Sequence, residues 1–376
     1  MWLRTHDLAS WRYACDPNEA WVSRRNCLLV LETKQHMERA PTWGSLTLRT
    51  HIEQWPLVTP FRVTGYTWES LTVLLVNLEK DGVVGRGEAA GVYYKSDTPA
   101  SMEHQLQVVR GKIEAGVSRE SIQNLLPRGG ARNALDCALW DLEAKLSKRP
   151  TWQIAGLNNP KPLLTTFTCG ADTPTNMAST ARMYKNARAI KLKLTGDSAD
   201  AERVRAVRAA RPDVWLGVDA NQGFTREKLE HLFPALIESR VALIEQPCKV
   251  GEEAWLDDLD SPIPLAADES AQGVLDVADL VGRFRVVNIK LDKCGGLTEG
   301  LAMARAAQAL GLEPMVGNML GTSLAMAPAY LVGQLCSVVD LDGPIFLKSD
   351  RESQVKYDAG VIECPNELWG SAVSPC

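Results

Sequence analysis

The chain has 376 residues, 45% apolar and 23% charged, with a formal net charge of −5. This is the composition of a soluble globular protein long enough for two domains, not of a disordered or fibrous chain. The negative balance without a basic stripe excludes nucleic acid as an expected partner, and no apolar run approaches the roughly 20 residues that cross a bilayer, which excludes a membrane span.

Residues 1–45 hold Trp2, Trp11, Trp21 and Trp43 without a helical or strand period. They read as an N-terminal extension of unknown role, expected to pack weakly. Arg4, Asp7, Arg12, Asp16 and Glu19 interrupt any signal-peptide core. Nine scattered cysteines without C-x-x-C spacing fit reduced thiols, so a cytoplasmic location is expected.

Residues 46–157 read as an α+β domain. SLTLRTHIEQWPL and LTVLLVNLEKDGVVGRGEA are strand-like, with Asp81-Gly82 as a turn signal. ASMEHQLQVVRGKIEAG and ARNALDCALWDLEAKL are helix-like, the second with Leu135, Ala138, Leu139, Leu142 and Leu146 at helical spacing. Over 158–345 the rhythm changes. Short apolar strands alternate with helical segments: LLTTFTCG, AIKLKLTG, VWLGVDANQ, ALIEQP, PLAADES, VVNIKLDK, EPMVGNML and VVDLDGPI. Eight strands with crossovers, and no G-x-G-x-x-G after any of them, predict a parallel (β/α)7β-type TIM barrel rather than a doubly wound sheet. Residues 346–376 carry no further βα unit and are expected to return to the first domain, which would cap the barrel.

In such a barrel, function gathers at the C-terminal ends of strands. Charges break the apolar strands there: Lys191 and Lys193, Asp219, Glu245, Asp268 and Glu269, Lys290, and Asp340 and Asp342. Asp219, Glu245 and Asp268 come from three successive strands. Three crowded carboxylates repel one another, and a hard divalent cation removes that cost. Oxygen-only ligands favour Mg²⁺ over zinc. Crowding by Lys191 and the cation is expected to depress the Lys193 ammonium, freeing an amine to act as general base. Lys290 lies four strands on. Two lysines facing each other across a metal suit removal of a proton from one face of a carbon and its return to the other.

The Lys191-x-Lys193 pair, Asp219-Ala-Asn221, Glu245-Gln-Pro, Asp268-Glu-Ser and the Lys290-Leu-Asp-Lys-Cys-Gly-Gly run resemble the enolase superfamily, muconate-lactonizing subgroup. In the last strand, Asp340-Leu-Asp342 resembles the Asp-x-Asp motif of its dipeptide epimerases. The resemblance implies one Mg²⁺ per subunit and a small dipeptide as substrate, and leaves room for a homo-oligomer. It implies inversion of the α-carbon of the C-terminal residue through an enediolate. Lys193 and Lys290 would be the bases, and Asp219, Glu245 and Asp268 the metal ligands. Lys191 and Thr168 would contact the substrate, with Asp340 and Asp342 holding its α-ammonium. Asn221 and Glu269 would orient ligands. Relatives acting on Ala-Glu place an arginine after the first capping strand, where this chain has Trp68. Trp68 therefore points to a hydrophobic dipeptide or is plain capping core, unless Arg62 or Lys95 supplies the charge. An L-Ala-D/L-Glu epimerase, an N-acylamino-acid racemase, an o-succinylbenzoate synthase and a non-catalytic peptide-binding barrel stay open as alternatives.

Overall fold

A computed structural model describes residues 39–63 and 66–372. Most of the N-terminal extension, residues 1–38, lies outside the described residues. Its described end packs firmly, against expectation: the Trp43 N–H and C=O both pair with Val117, and its ring rests on the capping core.

The capping sheet is an antiparallel meander of β1 (Thr47–Val63), β2 (Tyr66–Lys80) and β3 (Val83–Ala89). Asp81 and Gly82 have φ of +52° and +77°, the left-handed pair that a two-residue hairpin turn needs. Trp68, expected after the first capping strand, lies within β2, where it faces Phe61 of β1 after a register shift between Pro56 and Phe61. Pro56 and Pro60 interrupt the strand signal just before this pairing, while Val63, Tyr66, Thr67 and Trp68 sustain it.

Helices Pro99–Ala115 and Gly130–Ser147 cover this sheet. The second is buried on both faces. Ala134, Leu135, Ala138 and Leu142 fill the capping core, while Cys137, Trp140 and Ala144 face the barrel core. It lies so close to β3 that a Cβ on Gly85 or Gly87 would stand 2.2 or 2.0 Å from its carbonyl oxygens. The two glycines thus dock the cap onto the helix that carries it.

The barrel has eight parallel strands in sequential order: β5 (Thr166–Cys169), β6 (Ala189–Lys193), β7 (Trp215–Asp219), β8 (Leu243–Glu245), β9 (Leu265–Ala267), β10 (Val286–Ile289), β11 (Glu313–Val316) and β12 (Val338–Val339). Two crossovers, Glu253–Leu256 and Val274–Leu280, are 3₁₀ turns rather than α-helices. Between the first and last strands, side chains join the seam. Thr165 Oγ1 accepts from Leu341 N–H at 3.0 Å, Thr166 donates to Asp340, and Thr168 N–H donates to Asp342 at 2.7 Å.

Strand alternation sorts the side chains. Ile190, Leu192 and Leu194 point out to the surrounding core. Inward, Trp215, Leu243, Ala266, Val286, Met315 and Val338 form an apolar floor. Two or four residues further along come the charged groups Asp219, Glu245, Asp268, Lys290 and Asp340, whereas β11 carries Gly317 and Met319 there.

The strand LLTTFTCG splits. Leu163–Leu164 (β4) leaves the barrel and pairs with a hairpin of β13 (Lys356–Asp358) and β14 (Val361–Glu363). The tail touches the cap on either side of that hairpin. Arg351 binds Glu53 and Glu88 at 2.7 and 2.6 Å, and Trp369 Nε1 donates to the Arg86 carbonyl at 2.8 Å.

Candidate functional site

A cavity of about 260 Å³ opens between the barrel mouth and the cap. Lys191, Lys193 and Lys290 line it with Thr168, Asn221, Asp340 and Asp342. Its roof is apolar, built from Phe61, Trp68, Tyr93, Met319, Leu320 and Phe346.

Asp219, Glu245 and Asp268 end adjacent strands or follow them directly, and all are buried. One oxygen from each lies within 4.8 Å of the others. Lys193 donates to Asp219 and Lys290 to Asp268, the latter at 2.6 Å, so the two lysines end on different members of the triad. Lys191 lies between the triad and the last strand, pairing with Asp340 and, at 3.3 Å, with Glu245.

The electrostatics show an excess of negative charge. Burial and the Asp219 charge push Glu245 up to about 7. Burial and the charges of Asp268 and Asp219 push Glu269 up to about 8. Burial and Asp340 raise Asp342 to about 6. Burial also works against Asp268, but the Lys290 and Lys293 ammonium groups outweigh it and hold the carboxyl well below the usual range. Burial lowers Lys191 and Lys290, and the surrounding carboxylates more than reverse this, so both ammonium groups stand above the ordinary lysine value. Six buried carboxylates (219, 245, 268, 269, 340 and 342) face four buried ammonium groups (191, 193, 290 and 293). Fully ionised, the cluster carries two surplus negative charges, which a divalent cation cancels. The donor set is oxygen only, as Mg²⁺ prefers. Asn221 Oδ1 and Glu269 Oε2 are buried beside the triad without a protein hydrogen-bond partner, which suits the water shell of a hard cation.

The remaining candidates separate. Trp68 lies in the roof, stacked on Tyr66 at 5.7 Å and edge-on to Tyr93 at 5.1 Å. Lys95 does not line the cavity; its ammonium donates to Gln272 at 2.5 Å. The Arg62 side chain lies outside the described residues. Two residues escaped the sequence reading. Asn288 donates to Glu245 Oε1 at 2.8 Å, and Lys293 donates to Asp268 Oδ1 at 2.5 Å. Asn288 had a legible signal, since it lies two residues before Lys290 on one strand and so shares its inward face. Room for both comes from Gly317, where a Cβ would stand 2.6 Å from Asn288 Oδ1 and 3.0 Å from Lys290 Cε.

No helix among the described residues is long and apolar enough to cross a membrane.

Residues 45–156 match the mandelate racemase/muconate lactonizing enzyme N-terminal domain, and residues 176–367 the enolase C-terminal domain-like family. The L-Ala-D/L-Glu epimerase of Escherichia coli (strain K12) is 39% identical over 84% of this chain and 99% of its own length. An N-acetyl-D-glutamate racemase from a Pseudoalteromonas species is 42% identical over 66% of this chain and 79% of its own. Among solved structures, the dipeptide epimerase of Enterococcus faecalis V583, complexed with Mg and L-Leu-L-Tyr, superposes with a TM-score of 0.79 at 27% identity, covering 89% of this chain and 99% of that one. The barrel, its cap and these likenesses together make the chain an isomerase of the racemase and epimerase type, a member of the enolase superfamily.

Proposed function

We propose that the protein is a Mg²⁺-dependent dipeptide epimerase that inverts the α-carbon of a C-terminal residue with an apolar side chain. The observation that carries this is the company kept in one cavity: two lysines seated on different triad carboxylates, and an aspartate pair beside them.

Asp219, Glu245 and Asp268 would hold the cation. When bound, Mg²⁺ supplies positive charge beside the substrate carboxylate and so acidifies the adjacent Cα–H. Lys191 and Thr168 orient the substrate. Asp340 and Asp342 receive its α-ammonium; a cation there offsets the crowding that lifts Asp342. Of Lys193 and Lys290, one takes the Cα proton as a neutral amine, and the other delivers a proton to the opposite face as an ammonium. Which lysine acts first depends on the epimer bound. Asn221 and Glu269 orient the ligands around the cation.

The roof supports an apolar C-terminal side chain. Trp68 presents an indole where an Ala-Glu epimerase would need a guanidinium, and no cationic side chain among the described residues joins the roof. The Enterococcus relative holds L-Leu-L-Tyr in the same fold. The Pseudoalteromonas relative supports a second reading, racemisation of an N-acylamino acid. The aspartate pair weighs against it, because an acylated nitrogen carries no charge.

Incubation with pooled L,L-dipeptides and N-acylamino acids in D₂O plus Mg²⁺, followed by mass spectrometry, separates these readings. Deuterium is expected in the C-terminal residue of dipeptides ending in Leu, Phe or Tyr. Label in N-acylamino acids alone supports the second reading, label in Ala-Glu alone rejects the apolar assignment, and no label in any substrate favours a non-catalytic barrel.

A further inference from the structure

Each triad carboxylate has one oxygen held by a fixed donor and one left to the cavity side. Asp219 Oδ1 accepts from the Asn221 N–H at 2.8 Å. Glu245 Oε1 accepts from Asn288 Nδ2 at 2.8 Å. Asp268 Oδ1 accepts from Lys293 Nζ at 2.5 Å. The second oxygens, Asp219 Oδ2, Glu245 Oε2 and Asp268 Oδ2, meet instead the ammonium groups of Lys193, Lys191 and Lys290.

Lys293 differs from those three lysines. It does not line the cavity, and its side chain is fully buried. Its ammonium also donates to the carbonyls of Asp268 and, at 3.1 Å, Asn288. With three buried acceptors and no path to substrate, it is fixed in place. Asn288 is likewise completely buried.

We propose that Lys293 and Asn288 are positioning residues that restrict the triad to three single-oxygen ligands, so that the site selects a small six-coordinate cation over Ca²⁺. This rests on the metal-dependent reading above. Mg²⁺ demands near-octahedral geometry at about 2.0–2.1 Å and keeps several waters, whereas Ca²⁺ gathers about 6–8 oxygens and favours carboxylates that chelate with both. A carboxylate whose second oxygen is committed to a buried ammonium or amide cannot chelate. Three single-oxygen ligands leave three octahedral positions for the substrate carboxylate and water.

The test is calorimetric titration of the chelator-treated full chain with Mg²⁺ and, separately, Ca²⁺, without substrate. Lys293→Met and Asn288→Ala free one carboxylate oxygen each. Each variant is expected to shift the Ca²⁺-to-Mg²⁺ dissociation-constant ratio toward Ca²⁺ by about tenfold or more, the scale on which ligand-orienting partners act. A smaller shift in both folded variants overturns the proposal, and a purely structural role would weaken both ions alike. Should neither variant fold, the wild type decides. Mn²⁺ bound to it, examined by electron paramagnetic resonance in ¹⁷O-water, should carry three waters, and two or fewer would mean a chelating carboxylate and overturn the proposal. A wild type that binds none of the three ions removes the metal-dependent reading itself; binding with an unshifted ratio removes only this inference.

Discussion

Lys193 and Lys290 share one cavity but rest on different carboxylates, so each is expected to serve a different face of the substrate. Lys193→Ala and Lys290→Ala should each lower inversion by about 10³-fold, within the usual range for lost acid–base catalysis. Each variant should still exchange deuterium into one epimer, and the two should retain opposite epimers. Near-normal turnover in either would end the two-base scheme. Trp68→Arg tests the roof. A guanidinium there should raise kcat/KM for Ala-Glu relative to Ala-Leu by about tenfold, roughly the worth of one charge-assisted hydrogen bond. An unchanged ratio would return Trp68 to the role of capping core. Gly317→Ala pushes a methyl toward Lys290 Cε and Asn288 Oδ1. It should cut kcat at least about tenfold while circular dichroism stays native, since a misplacement near 1 Å suffices for such a loss.

At the scale of elements, charge on an otherwise apolar strand was the clearest signal in the sequence. AIKLKLTG, VWLGVDANQ and VVNIKLDK advertise Lys191, Lys193, Asp219 and Lys290 because a buried parallel strand has little reason to carry charge. Asn288 was passed over because a neutral amide draws less notice than a charge, although its spacing two residues before Lys290 marked the inward face. Lys293 stayed hidden because it follows the strand in the short helix Leu291–Cys294, where a lysine reads as surface. The aromatic contact of Tyr66, Trp68 and Tyr93 joins segments far apart in sequence, and no local period announces it. The split of LLTTFTCG was illegible for a related reason: Leu163 and Leu164 pair with a hairpin some 200 residues downstream. That hairpin leads to Trp369, whose indole fastens the tail to β3. Trp369→Ala should cost about 3 kcal/mol in urea unfolding, the low end for deleting a buried Trp.

For the whole molecule, the cap and barrel are joined through buried acids. Asp292, two residues past Lys290, accepts the Gly91 N–H of the cap at 2.8 Å. Burial pushes its carboxyl up to about 7 from the ordinary value of 3.8. Between those values the folded chain keeps a proton that the unfolded chain has lost. Protonation therefore favours the fold, and this contribution fades as pH rises through the window, levelling off above about 7. Asp292→Asn should flatten the decline in urea midpoint between pH 5 and 8, and an unaltered slope would assign the proton elsewhere. The surplus of carboxylates predicts a second global effect. Mg²⁺ should raise Tm in proportion to ln[Mg²⁺] once saturating, and a chelator should reverse the gain.

The barrel's first and last strands meet through Thr165, Thr166 and Thr168 on one side and Asp340, Leu341 and Asp342 on the other. The aspartates we propose for the ligand's amino end are therefore also the clasp of the cylinder. A guest that neutralises them acts as a keystone, tightening the ring at its one stitched joint. Amides of residues 166–169 and 338–342 should then gain the most protection from hydrogen exchange when dipeptide is added, ahead of amides in the roof that touches its side chain.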